Sequence, residues 1–138
     1  MARVLIVDDE PAIVELIHDV LEQAGYETYS CDDGQKAWEL IQSSRPDLII
    51  TDVMLPSMDG YTLQNQIAQT EATSKIPVIV MSALVPAKTL FRNAKQVVGF
   101  MVKPFTGDEL VQKVQEALGA RPAAEPEKKP ETGEGQGT

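Results

Sequence analysis

The chain has 138 residues, a formal net charge of −9 at pH 7 and 43% hydrophobic residues. This length suits one domain with a core of its own. No apolar run approaches the roughly 20 residues of a membrane helix, and the single cysteine, Cys31, excludes an internal disulfide. Because phosphate repels an acidic surface, we expect no direct binding of nucleic acid. We also expect a cytoplasmic protein with no membrane contact.

Short apolar runs alternate with helical patterns along residues 1–119. Strands are predicted at 3–7, 26–31, 48–50, 78–81 and 99–102. Helices are predicted at 12–24, 35–42, 61–68, 86–96 and 108–118. Five strands alternating with five helices predict an α/β doubly wound domain, in which helices cover both faces of a parallel sheet. Residues 120–138 are rich in Pro, Glu, Lys and Gly, which predicts a disordered tail or a linker.

The turn after the first strand separates two kinds of doubly wound protein. A dinucleotide-binding domain needs a glycine-rich turn there, so that backbone N–H groups can cradle phosphate. This chain has Asp8, Asp9 and Glu10 instead, with no glycine among them. The turn therefore presents carboxylates rather than a phosphate cradle.

Polar side chains follow four of the predicted strands. They are Asp8 and Asp9, Asp52, Ser82 and Lys103. Because the carboxyl ends of parallel strands meet at one edge of a sheet, these side chains should converge. Three neighbouring carboxylates repel one another unless they share a cation, and Mg²⁺ prefers oxygen ligands. An ammonium and a hydroxyl can bind phosphoryl oxygens, and an aspartate can accept a phosphoryl group.

The motifs that contain these residues resemble the receiver domain of two-component response regulators, over roughly residues 3–119. They read VLIVDDEP at 4–11, DLIITDVMLPSMDG at 47–60, Met81-Ser82-Ala83, and Lys103-Pro104-Phe105. The resemblance implies a flavodoxin-like fold with strand order 2-1-3-4-5. It also implies a switch that takes a phosphoryl group from a histidine kinase or a phosphotransfer protein. The signal would then pass to a downstream protein that the sequence does not identify.

The resemblance also assigns roles to individual residues. Asp52 is the implied phosphoacceptor. The implied Mg²⁺ ligands are Asp8, partly through water, Asp9, Asp52 and the backbone carbonyl of Met54. The implied phosphate-binding and switch residues are Ser82, Ala83, Lys103 and Phe100, and the Lys103–Pro104 peptide bond is implied to be cis.

Two further features of the sequence lead to expectations of their own. Met54 and Leu84 occupy the positions two residues after the acceptor and the switch hydroxyl, and neither apolar side chain can orient an attacking water. We therefore expect slow self-dephosphorylation. Lys88, Arg92 and Lys95 share one face of the predicted helix 86–96. A solvated helix face is the favoured interpretation of this basic stripe, and a docking site for an acidic partner is the alternative.

Two other functions stay open on the sequence. The domain could be a receiver-like scaffold that never accepts phosphate, although the full set of site residues argues against that. It could also be a hydrolase that forms an aspartyl-phosphate, as phosphatases of the haloacid-dehalogenase type do. Those enzymes have a second Asp two residues after the nucleophile, where this chain has Met54. The favoured interpretation is not an enzyme in the ordinary sense, because the domain would only promote its own phosphorylation and slow dephosphorylation.

Overall fold

The structure is a computed structural model of the chain, and it describes residues 2–83, 91 and 94–119. Its five strands are β1 (Arg3–Val7), β2 (Glu27–Cys31), β3 (Leu48–Asp52), β4 (Val78–Ser82) and β5 (Val97–Val102). The described part of the chain contains the helices α1 (Pro11–Gln23), α2 (Gly34–Ser44), α3 (Gly60–Gln69) and α4 (Gly107–Gly119). None of these helices is long and apolar enough to cross a membrane.

The strands form one sheet in the order β2-β1-β3-β4-β5, and every neighbouring pair is parallel. This confirms the predicted sheet and its strand order. The register pairs Asp52 with Met81 and Ser82 with Val102. The ends of β3, β4 and β5 are therefore nearly level, and the residues at these ends lie along one edge of the sheet.

The core lies on both faces of the sheet. Strands β1, β3 and β4 are buried almost throughout, which explains their unbroken apolar sequences. Alternate side chains point to opposite faces, so Val4 and Ile6 pack with α1 and α4, whereas Leu5 and Val7 pack with α2 and α3. Full burial of each such side chain contributes about 1.5–3 kcal/mol to folding.

The end of β3 and the loop that follows it pack tightly against the starts of two helices. A Cβ added at Gly34, the first residue of α2, would lie 1.7 Å from the carbonyl oxygen of Met58. A Cβ added at Gly60, the first residue of α3, would lie 2.2 Å from the carbonyl oxygen of Asp52. Both positions therefore need glycine because of this close backbone approach.

The segment before β5 differs from the prediction. The sequence predicts five helices, and four lie within the described residues; most of the predicted helix 86–96 lies outside them. Where its end is described, Ala94 donates to the carbonyl of Phe91 and Val97 donates to the carbonyl of Ala94. These are tight turns, so the prediction that the helix reaches Gln96 was wrong. The Gln96 side chain instead bonds the backbone carbonyl of Thr73.

One smaller difference concerns the residue at which the last strand begins. Strand β5 begins at Val97 rather than at Gly99, because an edge strand with an exposed Val98 lacks a continuous buried run. The predicted disordered tail, 120–138, lies outside the described residues.

Candidate functional site

Three of the predicted site residues meet at the carboxyl edge of the sheet. Asp8 follows β1, Asp52 ends β3 and Lys103 follows β5. The Nζ atom of Lys103 lies 2.9 Å from Asp8 Oδ2 and 2.9 Å from Asp52 Oδ2. The parallel sheet thus brings together side chains that are up to 95 residues apart in the chain.

A fourth member of this cluster was missed by the sequence reasoning. Glu10 Oε1 also lies 2.9 Å from Lys103 Nζ, and carboxylate oxygens of Asp8, Glu10 and Asp52 all lie within 4.8 Å of one another. Asp9 is exposed and does not belong to this group. The choice of Glu10 over Asp9 follows from the turn after β1, in which the backbone N–H of Glu10 donates to Asp8 Oδ1, and the hydrophobic pattern carries no signal for this turn.

The cluster combines buried and exposed carboxylates around one ammonium. Burial raises the pKa of Asp8, although the backbone N–H of Glu10 and the ammonium of Lys103 act in the opposite direction. Burial also disfavours the charged form of Lys103, but its hydrogen bonds to Asp52, Glu10 and Asp8 outweigh that and raise its pKa. Lys103 is therefore a permanent cation at neutral pH, surrounded by more carboxylates than it can neutralise.

The donor set of the cluster fits a hard divalent cation. The side-chain ligand atoms of the cluster are all carboxylate oxygens. The negative charge of these carboxylates exceeds the positive charge of the single ammonium. Mg²⁺ favours such oxygen ligands and is usually held by one or two carboxylates together with waters. The backbone of Met54 lies beside these oxygens, because its N–H points to Asp52 Oδ1 at 3.4 Å.

The predicted switch residues of the fourth strand lie next to the cluster. Ser82 ends β4 and is only 6% exposed. The backbone N–H of Lys103 donates to the Ser82 carbonyl at 2.8 Å, which fixes the ends of β4 and β5 side by side. Ala83 is exposed, and the Lys103–Pro104 peptide bond is cis.

The predicted aromatic switch residue belongs to a row of three rings. Phe100 lies on β5 and is half-buried. Its ring centroid is 6.3 Å from that of Phe91, which in turn lies 5.5 Å from the ring of Tyr61 in an edge-on arrangement. Phe91 is only 2% exposed. The sequence reasoning did not single out Phe91, because one aromatic residue in a predicted helix looks like ordinary packing.

Little of the predicted basic stripe can be located. Lys88 and Arg92 lie outside the described residues, whereas Lys95 is exposed and lies in a turn before β5. Both interpretations of the stripe, a solvated helix face and a docking site, stay predictions.

A cavity of about 860 Å³ borders the cluster between α1 and β2, and Asp8, Asp9, His18 and Cys31 are among its lining residues.

Burial raises the pKa of the Cys31 thiol to about 11. At about pH 8 its thiolate fraction should be roughly 200-fold below that of a free cysteine with a pKa of about 8.5. We therefore expect alkylation of the folded protein by iodoacetamide to be slower than that of the urea-unfolded protein by about this factor. The rate should rise about tenfold per pH unit below pH 10. Equal rates in both states would contradict this prediction.

Comparison with known families identifies the class of protein to which this fold and site belong. Residues 4–115 match the model of the response regulator receiver domain. The chain therefore belongs to this family, the receiver domains of two-component systems. Phosphorylation on an aspartate is the general function of the family.

Proteins with sequences similar to this chain include both a transcriptional regulator and a sensor kinase. The chain is 36% identical over 119 residues to the DNA-binding dual master transcriptional regulator RpaA of Synechocystis, an alignment that covers 86% of this chain and 49% of RpaA. It is 36% identical over 124 residues to the sensor histidine kinase TmoS of Ectopseudomonas mendocina, covering 89% of this chain and 13% of TmoS. The chain thus spans half or less of these relatives.

Solved structures agree with the fold. A response regulator from Chloroflexus aurantiacus is 34% identical, with a TM-score of 0.81 over 86% of this chain and 98% of that one. The receiver domain of the sensor histidine kinase PA1611 from Pseudomonas aeruginosa is 28% identical, with a TM-score of 0.78 over 86% and 98%. That structure has a magnesium ion coordinated in its active site cleft.

Proposed function

We propose that Asp52 accepts the phosphoryl group, and that the donor is a phosphohistidine of a histidine kinase or a phosphotransfer protein. The observation that carries this proposal is the contact of Asp52 Oδ2 with Lys103 Nζ at 2.9 Å, at the carboxyl edge of the sheet. The Asp52 side chain is 10% exposed, so a small part of its surface remains accessible to a donor. We also propose that the protein acts in the cytoplasm, where it would meet this phosphodonor.

Phosphoryl transfer forms a bond between phosphorus and an Asp52 carboxylate oxygen while the bond from phosphorus to the histidine nitrogen breaks. The nitrogen leaves with the electron pair of that bond. Lys103 stabilises the negative phosphoryl oxygens as they pass, which is the main task of a protein in this chemistry. The domain would promote this step itself, so that small phosphodonors also serve.

Mg²⁺ is the cofactor that this site would hold. Asp8 and Asp52 would supply carboxylate oxygens from within the cluster. The backbone carbonyl of Met54 and the carboxylate of Asp9, which lies outside the cluster in this structure, would add further ligands beside water. When bound, Mg²⁺ would neutralise charge on the transferring phosphoryl oxygens. The excess of carboxylate over ammonium charge in the cluster supports this assignment.

Phosphorylation would then alter the surface near β4 and β5. Ser82 would turn towards the phosphoryl group, and Phe100 would shift into the space that Ser82 leaves. The rings of Phe91 and Tyr61 would relay this movement, because Phe91 contacts both Phe100 and Tyr61. A two-state surface of this kind changes the affinity for a downstream protein.

The proposal is tested by incubating the protein with acetyl phosphate and Mg²⁺ and measuring its intact mass. The expected result is a gain of one phosphoryl group, which requires Mg²⁺ and is absent from Asp52→Asn. No gain in mass would favour the scaffold interpretation. A gain that persists in Asp52→Asn would move the acceptor to another residue.

The phosphorylated form should be long-lived. Met54 is 71% exposed beside Asp52 and cannot orient a water for attack on phosphorus. After removal of acetyl phosphate, we expect the phosphoryl group to persist for much longer than seconds. Met54→Asn should speed its loss about tenfold, the effect of one hydrogen bond that positions the attacking water. Intact mass followed over time measures both rates. The control is Leu16→Gln, an exposed apolar position on α1, which should leave the rate unchanged. A wild-type lifetime of seconds would contradict the prediction.

A further inference from the structure

The ammonium of Lys103 has no hydrogen-bond donor to spare. A lysine ammonium carries three N–H donors. Lys103 Nζ lies 2.9 Å from each of three carboxylate oxygens, one each from Asp8, Glu10 and Asp52. If Lys103 binds a phosphoryl oxygen, one of these three bonds has to break.

The three bonds differ in how easily they can break. The Asp8 side chain is fully buried, and its other oxygen accepts the backbone N–H of Glu10 at 2.9 Å. Asp52 is the proposed acceptor and stays in place beside the phosphoryl group that it carries. The Glu10 side chain is 60% exposed, so water can take over its hydrogen bonds when it leaves. Glu10 is therefore the partner that Lys103 can release at least cost.

We infer that Glu10 is a displaceable counter-ion of Lys103 that opposes phosphorylation. In the unphosphorylated domain, Glu10 occupies the donor that a phosphoryl oxygen takes after transfer. Its carboxylate also lies close to the incoming negative group and repels it. Glu10 is thus a positioning residue that acts through Lys103 and sets how readily the domain is phosphorylated. This inference rests on the proposed function of Asp52.

The inference predicts a rise in rate when an acidic residue is removed from an acidic site. Glu10→Gln keeps the shape of the side chain but removes its charge. At saturating Mg²⁺, we expect the initial rate of phosphorylation by acetyl phosphate to increase about two- to fivefold, the size appropriate to an exposed ion pair. Glu10→Ala should act in the same direction.

A second measurement separates this role from that of a metal ligand. Titration calorimetry with MgCl₂ gives the Mg²⁺ affinity of each variant without any phosphodonor. Because the substitution removes a nearby negative charge, the affinity should fall slightly or stay unchanged while the phosphorylation rate rises. Glu71→Gln, at an exposed position after α3, makes the same change in net charge and should alter neither quantity.

Each other outcome overturns the inference in a recognisable way. A large fall in both Mg²⁺ affinity and rate would make Glu10 a cation ligand. An unchanged rate in Glu10→Gln, with normal phosphorylation of the wild type, would make it an ordinary solvated side chain. A wild-type protein that gains no phosphoryl group would overturn the proposed function and the inference together.

Discussion

Replacing Lys103 with methionine is expected to lower the free energy of unfolding by about 2–4 kcal/mol at neutral pH. Methionine keeps the length of the side chain and removes its charge. Asp8 is fully buried, and Lys103 is the cation that lies against it. Without Lys103, the fold must either keep an uncompensated buried carboxylate next to Asp52 or bind a proton, and both cost stability.

Urea unfolding followed by Trp38 fluorescence measures this loss. Lys36→Met is the matched control, because Lys36 also pairs with an aspartate, Asp32, but both side chains are about 70% exposed. Its loss should cost less than about 0.5 kcal/mol. The cause can be checked in an Asp8→Asn background, where Lys103→Met should cost much less. An equal cost in both backgrounds would show that the lysine stem, rather than its charge, stabilises the fold.

The same substitution should slow phosphorylation of the folded protein by about 100-fold or more, the usual effect of removing one preorganised donor from developing negative charge. The measurement is the initial rate with acetyl phosphate and saturating Mg²⁺, at a temperature where the variant is fully folded. A rate within a few fold of the wild type would mean that Lys103 is a structural cation only.

The sequence predicts the buried parts of the fold best. Strands β1, β3 and β4 lie at the centre of the sheet, where both faces are covered, and burial forces the continuous apolar runs by which they are recognised. Strand β5 lies at the edge of the sheet, and its exposed residues Val98 and Val102 have no such constraint. Its start was therefore misplaced by two residues.

The sequence predicts those site residues whose positions follow from the order and direction of the strands. Asp8, Asp52 and Lys103 converge because parallel strands end at one edge, which the sequence pattern indicates. The choice between Asp9 and Glu10 depends on the backbone turn after β1, where the N–H of Glu10 donates to Asp8 Oδ1. Such a turn depends on local geometry rather than on hydrophobic periodicity, so a pattern of apolar residues cannot foresee it.

The contact of Gln96 with Thr73 shows a second reason why the sequence does not predict the whole fold. A helical pattern over 86–96 reflects local preference, but the end of this segment is held by hydrogen bonds to residues more than 20 positions earlier in the chain. Tertiary contacts override local propensity in such a place. The predicted helix therefore extends too far, although the strands on either side of it pair in the predicted order.

Gly60→Ala is expected to damage both the fold and the site. The added methyl carbon would lie 2.2 Å from the carbonyl oxygen of Asp52 and 3.0 Å from the Cα atom of Val53. Both are backbone atoms, so no flexible side chain can move aside. We expect the free energy of unfolding to fall by about 2–4 kcal/mol, at or above the usual cost of overpacking.

Urea unfolding of Gly60→Ala beside Gly119→Ala tests this prediction. Gly119 ends α4 and has open space around its added Cβ, so alanine there should change stability by less than about 0.5 kcal/mol.

Relief of the clash in Gly60→Ala also has to displace either α3 or the end of β3, which carries Asp52. The folded variant should therefore accept a phosphoryl group more slowly than its loss of stability alone explains. If stability falls but the rate per folded molecule is unchanged, α3 moves and the site keeps its geometry. If neither stability nor the rate changes, α3 does not lie this close to the backbone of Asp52.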